Sequence, residues 1–217
     1  MHRQWLAALL AMSVAATTHA ALYQVDAGET RANFQTRFLG IVPVRGMFKQ
    51  TSGQLDYDPL TRQGTLHAVI HLATLQTAMN DDGMTDKMLK GPEFFDVERF
   101  PLIEFTSSKF RWENDKLIAI DGTLTVRGIS KPATLAIAQS RCLAASAEAK
   151  ARCEATAQLS IQRSAFGING WAATVSNTVN IVIEFVAVTD APAPGSLTLP
   201  PAGGVQAAAP TPVLPGK

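Results

Sequence analysis

Apolar and polar residues alternate with period two along most of this chain, the pattern of strands that bury one face. In Arg31–Phe38, Ala32, Phe34, Thr36 and Phe38 share one side, and Arg31, Asn33, Gln35 and Arg37 take the other. Leu66, Ala68, Ile70 and Leu72 oppose His67, Val69 and His71 in the same way. Ile118, Ile120, Leu124 and Val126 line one side of the next long run. Leu135 with Ile137, Leu159 with Ile161, and Val179, Ile181, Ile183 and Phe185 follow. Turn signals separate these runs at Asp58-Pro59, Asn114-Asp115 and Gly128 with Pro132. The pattern predicts an all-β domain of about eight antiparallel strands, packed as a sandwich or closed into a barrel. Closure removes exposed sheet edges, and an eight-stranded barrel has room for packed side chains or one small ligand.

One stretch breaks the alternation. "NDDGMTDKMLKGPEFFD", Asn80 to Asp96, carries Asp81 and Asp82 as a helix start, and Met84 and Met88 one turn apart with Leu89 extending their face. Gly91-Pro92 stops the helix, and Glu93–Asp96 forms a second short turn. The expectation is a helical lid between strands. The chain then runs through "GPEFFDVERFPLIEF", which holds four of its ten phenylalanines. Phe95 is expected to face the interior and Phe94 to anchor the lid. Phe105, which shares a strand face with Ile103, points inward, and Phe100 before Pro101 packs at the rim.

The ends are expected to lie outside this domain. Residues 1–20 combine His2 and Arg3 with an apolar run from Trp5 to Ala16 and small residues at Thr18 and Ala20, which reads as a cleaved secretory signal. From residue 191 onward the chain holds seven of its twelve prolines and no aromatic residue, the composition of a disordered tail. The folded domain is therefore placed at 22–190. Loss of Arg3 takes the 19 basic residues to 18, equal to the 18 acidic ones. A neutral chain lacks the basic footprint of a nucleic-acid binder and has no strong overall pull toward anionic lipid. Cys142 and Cys153 are the only cysteines. In an exported chain such an isolated pair reads as a structural disulfide, since a redox pair usually has tighter spacing.

Catalytic and metal chemistry find little support. His67 and His71 share a strand face but stand about 13 Å apart at strand rise, too far for one ion. Asp81, Asp82 and Asp86 miss the ligand spacing of a calcium loop and are better explained as helix caps. No nucleophile elbow or phosphate loop occurs. Glu104 and Glu184 interrupt apolar strands, but outward-facing glutamates account for them as well as a buried acid–base pair does. The expectation is a binding protein with no enzyme activity, no resident cofactor and no metal.

Three stretches together, "IDGTLTVRGISKPATLAI", "GPEFFDVERFPLIEFTSSKF" and "LSIQRSAFGING", resemble the YceI-like family of exported bacterial proteins. "VRGMF" and "LDYDP" match its amino-terminal half in order. The resemblance spans residues 22–188. It implies a lipocalin-like eight-stranded antiparallel barrel with a short helical lid and an apolar tunnel, located in the periplasm. It further implies a bound isoprenoid lipid such as a quinone or polyprenyl chain, and a possible inner-membrane partner of the cytochrome b561 type. Phe38 and Met88 stand where the family often has histidine, which implies a different or wholly apolar ligand head. Within that frame the candidate ligand-binding residues are Phe34, Phe38, Phe48, Ile70, Met84, Met88, Leu89, Phe95, Phe105, Trp171 and Phe185. Gly122 and Gly128 are expected to serve bends of the barrel, and Arg127 an outward salt bridge. The competing expectation is a solidly packed barrel that acts as an interaction module. A cavity or its absence separates the two.

Overall fold

A computed structural model of the chain describes residues 21–58, 60–79, 81–147 and 149–189. The expected signal and tail, and residue 190, lie outside these. The strands are β1 (Ala21–Val25), β2 (Arg31–Phe38), β3 (Val42–Phe48), β4 (Thr51–Asp58), β5 (Gln63–His71), β6 (Leu75–Thr77), β7 (Leu102–Glu113), β8 (Lys116–Val126), β9 (Ile129–Leu143), β10 (Ala151–Gln162) and β11 (Thr178–Thr189). All pairings are antiparallel, and β1 pairs with both β4 and β11, which closes the sheet.

The eleven segments make eight staves, because three long strands are each broken once. β1 and β2 run along the same partner, β11, and their other neighbours are β4 and β3. The break between them is tied by Thr30, which is 1% exposed. Its hydroxyl donates to the Val186 carbonyl and accepts from the Val186 amide, both at 3.0 Å. β3 and β4 break at Lys49-Gln50, and β5 and β6 at a short 3-10 turn over Leu72–Thr74. Alternation reads correctly through such breaks only when the local bend is known. Bulges do the same within strands. Ile103 and Phe105 of β7 face inward on odd numbers, and after the irregularity between Ser107 and Lys109, Phe110 and Trp112 do so on even ones.

Two glycines admit close approach. A Cβ at Gly122 would meet the Phe105 ring at 2.6 Å, and one at Gly46 the Phe34 ring at 2.4 Å. In both cases a cavity-lining ring lies across a neighbouring strand where no side chain stands.

One end of the barrel carries the lid, the other is a mouth. Helix α1 (Met84–Lys90) follows two left-handed residues, Asp82 (φ 52°) and Gly83 (φ 78°), so it starts later than the acidic pair suggests. The Asp81 carboxylate accepts bonds from the Thr85 amide and hydroxyl, which hold it below the usual carboxylate range. Asp86 accepts from the Thr77 amide (2.7 Å) and hydroxyl (2.6 Å), fastening the helix to β6. Arg127 fixes the segment beyond it: its guanidinium donates to the carbonyls of Phe94 (2.8 Å) and Gly167 (3.1 Å) and lies 3.9 Å from buried Asp96. The expected salt bridge is present but made to a buried acid, and the same guanidinium braces two backbone carbonyls.

Arg163, 5% exposed, organises the loop from β10 to β11. It donates to the carbonyls of Ser176 (3.0 Å), Ile168 (3.0 Å), Gly170 (2.7 Å) and Val175 (2.9 Å). Burial lowers its pKa, yet an arginine stays charged, and among the described residues no carboxylate faces it. Four carbonyl dipoles hold the charge instead. At the mouth, Cys142 of β9 and Cys153 of β10 stand directly opposite each other and form a disulfide.

Replacement Arg163→Met is expected to lower the unfolding free energy by about 3 kcal/mol, because it strands several loop carbonyls at once. Arg163→Lys should recover only part of that, since one ammonium cannot span four acceptors. Urea denaturation measures both, and a loss below about 1 kcal/mol for Met would show that the carbonyls find other donors. The double replacement Cys142→Ala/Cys153→Ala is expected to cost about 3 kcal/mol while leaving the barrel folded. Far-ultraviolet circular dichroism together with the same denaturation curve checks it.

Candidate functional site

The barrel is hollow. Its inward faces enclose a cavity of about 790 Å³ that runs from the lid to the mouth. The walls are almost wholly aliphatic and aromatic. β5 contributes Leu66, Ala68 and Ile70, β8 contributes Ile120, Leu124 and Val126, and β11 contributes Val179, Ile181, Ile183 and Phe185. β10 adds mostly smaller side chains, among them Ala155 and Ala157, and β2 adds Ala32 and Thr36. These small inward residues leave space that longer ones would fill, so the interior stays open and the packed-barrel alternative does not hold.

The lid end is sealed by Leu89, Phe94, Phe95 and Ile168. Ring contacts knit it together: Phe34 to Phe48 at 5.3 Å, and Phe48 edge-on to Phe95 at 5.9 Å. At the mouth the sheet parts. β8 pairs with β9 only as far as Ala119 opposite Ala136, after which β8 continues with β7 and β9 with β10. Leu117 and Ile118 border that gap on one side, and Ala138 to Cys142 on the other. An ion-pair chain crowns the rim: Arg141 to Glu154 at 2.5 Å, Glu154 to Arg152 at 2.7 Å, and Arg152 to Glu29 at 2.9 Å. Hydrogen bonding from Arg141 is the main cause that keeps the Glu154 carboxyl below its usual range.

Polar groups inside are few. Arg163 borders the lid end with its guanidinium already committed to the loop carbonyls. Tyr57 stacks on Trp112 at 6.3 Å near the mouth, where burial raises its phenol above the ordinary value. The Thr51 side chain is different. It is 3% exposed, lines the cavity, and its hydroxyl has no hydrogen-bond partner among the described residues. A buried hydroxyl without a partner is uncommon, and here the oxygen itself is closed off from the cavity that the residue lines.

Seven of the eleven candidate residues line this cavity: Phe34, Phe48, Ile70, Leu89, Phe95, Phe105 and Phe185. Four lie off it. Met84 is 73% exposed. Five residues of helix turn through about 140° beyond a full revolution, so with Leu89 facing inward Met84 must face out. Met88 packs against the core beneath the helix without reaching the cavity. Phe38 has the inward parity of β2 but stands past the last β11 pairing at Gln35, and packs against Trp171 at 6.5 Å. Trp171 has φ 52°, which throws its side chain outward to 49% exposure.

Both Phe94 and Phe95 border the cavity, and Phe94 also meets Trp171 at 6.4 Å. Phe100 sits at the rim between Arg99 and Arg127. Thr51 and Trp112 could not be picked out beforehand, because their inward orientation depends on a strand break and a bulge. Glu104 and Glu184 lie off the cavity. Among the described residues no cluster of histidine, cysteine and acidic side chains could hold a metal ion. His71 meets the Ser52 hydroxyl at 3.0 Å.

Residues 23–187 match the YceI-like domain. Protein YceI of Salmonella arizonae is 33% identical over 119 residues, which cover 54% of this chain and 60% of that protein. A UPF0312 protein of Photorhabdus laumondii is 29% identical over 124 residues, covering 56% of this chain and 62% of its own. The matched segments thus span about three fifths of these curated relatives. Among solved structures, the chain superposes on Burkholderia cenocepacia BcnA with a TM-score of 0.60 at 24% identity, covering 75% of this chain and 98% of that one. It also superposes on a polyisoprenoid binding domain from Saccharophagus degradans with a TM-score of 0.57 at 15% identity, covering 79% and 99%. A single domain match over residues 23–187, nearly the whole of the closed barrel, makes this chain a member of the YceI-like family.

Proposed function

We propose that this protein is exported to the periplasm, where it carries or sequesters an isoprenoid or similar long-chain lipid, of quinone or polyprenyl type, inside its barrel and without catalysis. The observation that carries this reading is the continuous apolar cavity of about 790 Å³. That volume falls in the upper part of the range of small-molecule pockets, and its elongated course from lid to mouth suits a chain better than a compact ligand. The solved Saccharophagus domain of the same fold, described as polyisoprenoid binding, supports the ligand class. The disulfide supports an oxidising compartment.

The energetics agree. Burial of each CH₂-sized group contributes about 0.8 kcal/mol, association costs at least about 4 kcal/mol, and micromolar affinity needs about 8 kcal/mol net. A chain of roughly four or more isoprene units therefore binds through burial alone. Phe34, Phe48, Ile70, Leu89, Phe95, Phe105 and Phe185 are assigned to that contact. Met84, Met88, Phe38 and Trp171 are not, given their positions.

Native mass spectrometry of protein purified from its own host is expected to show a co-purifying lipid, and delipidated protein should take up a long-chain quinone. An empty protein that also refuses the quinone would sink the proposal. Ala68→Trp, which fills the middle of the cavity, should abolish uptake while the barrel remains folded. Thr51→Val is nearly isosteric and removes the partnerless hydroxyl. It is expected to leave squalene and quinone binding alike unchanged and to raise the unfolding free energy by about 1 kcal/mol. Urea denaturation and ligand titration check it, and a loss confined to the quinone would show that the hydroxyl turns toward the ligand.

A further inference from the structure

The β2–β3 hairpin ends in large apolar residues where a turn is normally polar. Leu39 is 59% exposed, Ile41 75% and Val42 45%. Leu39 (φ 51°) and Gly40 (φ 74°) are consecutive left-handed residues, and the Ile41 amide donates to the Phe38 carbonyl at 3.2 Å. Turns of this kind favour Asn-Gly, so a leucine at the first position strains the backbone. Its exposed side chain returns nothing to the core. The tip is nevertheless held firmly: the Leu39 amide donates to the Thr174 carbonyl at 2.6 Å, and Phe38 bridges to Val175. It projects from the barrel at the lid end.

Its neighbours extend the apolar face. Trp171, from the loop that straps the hairpin, is largely exposed, and Met79 follows Ala78, whose amide bonds to the Arg45 carbonyl of β3. Arg37 and Arg45 stand behind the tip on the outer side of the hairpin, and neither has an acidic partner among the described residues. At strand rise they lie about 7 and 10 Å back from the apolar residues. That distance corresponds to the depth, about 5–10 Å, to which interfacial segments bury their apolar side. The exposed acids of this end, Asp82, Glu93 and Glu98, belong to the lid segment and not to the hairpin.

We propose that the β2–β3 tip is a membrane-docking element: Leu39, Ile41 and Val42 enter the interface of a bilayer while Arg37 and Arg45 meet the phosphates of anionic lipids. The partner is a lipid surface. A rigid apolar point backed by two unpaired arginines complements apolar chains beneath anionic head groups, whereas no complementary groove or acidic surface is needed. Docking in this pose sets the lid end toward the bilayer. Helix α1 has no fully buried residue, so it is the sealing element most easily displaced there. The inference stands whether or not the cavity holds lipid.

The test is flotation of the full chain with protein-free vesicles, either phosphatidylcholine alone or phosphatidylcholine with an equal part of phosphatidylglycerol. The parent should bind the anionic vesicles, more weakly in high salt. Leu39→Asn/Ile41→Ser gives the turn its preferred residue and removes the apolar tip. It should melt no lower than the parent yet bind at least about tenfold less. Arg37→Gln/Arg45→Gln should lose affinity for anionic vesicles and keep whatever binding remains to neutral ones. Residues 1–20 are common to all these chains, so only differences between them count. Failure of the parent to bind, equal binding by the tip variant, or binding confined to native membranes and absent from protein-free vesicles would overturn the proposal. The last result would point to a membrane protein as the partner.

Discussion

Closure of the sheet governs everything else in this molecule. Eight antiparallel staves meet only because β11 accepts two partners in succession, β2 along its first half and β1 near its end. That arrangement requires the first long strand to break, and the break is closed by Thr30, whose hydroxyl serves Val186 as both donor and acceptor. Once the ring is complete every stave has a partner on both sides along part of its length, and the inward faces surround a space instead of a partner sheet. Alanine and threonine at several inward positions leave that space unfilled. The cavity is therefore a consequence of closure combined with small side chains.

The two ends of the barrel solve different problems. At the lid end, irregular backbone must be buried, and arginine does most of the work. Arg163 satisfies four carbonyls of one loop, and Arg127 ties the lid segment to that loop through Phe94 and Gly167. A planar group with five donors suits this task, because each carbonyl left alone would carry a desolvation cost. At the mouth, hairpins extend into solvent and need no such support. There β8 and β9 separate, the disulfide joins β9 to β10, and ion pairs crown the rim beside it. Rigidity at one end and a gap at the other give the cavity its direction.

Much of this was legible beforehand. The inward sets of β8 and β11 follow directly from alternation, and the lid follows from its interruption at Asn80–Asp96. The resemblance carried by "GPEFFDVERF" and "LSIQRSAFGING" supplied the closed barrel, which periodicity alone leaves open against a sandwich. Local rules lose their force across a geometric discontinuity. Met84 and Leu89 belong to one apolar run yet point nearly oppositely on the helix. Phe38 kept its inward parity but lay beyond the strand pairing that makes parity meaningful. Phe110, Trp112 and Cys142 face inward only because bulges shift the count by one residue.

The sequence by itself determined which residues are apolar on one side, where the chain turns, and where a helix interrupts the strands. Those properties depend on neighbours a few positions away, and alternation or capping encodes them directly. Whether the enclosed space is filled was not decided at that level, because it depends on side chains from all eight staves meeting across the barrel. The same holds for Arg163, which reads as an ordinary charged residue until the loop folds its carbonyls around it. It holds for the tip at Leu39–Val42 as well. Exposure is a property of the finished surface, and only the folded chain shows that among the described residues these apolar side chains stand uncovered.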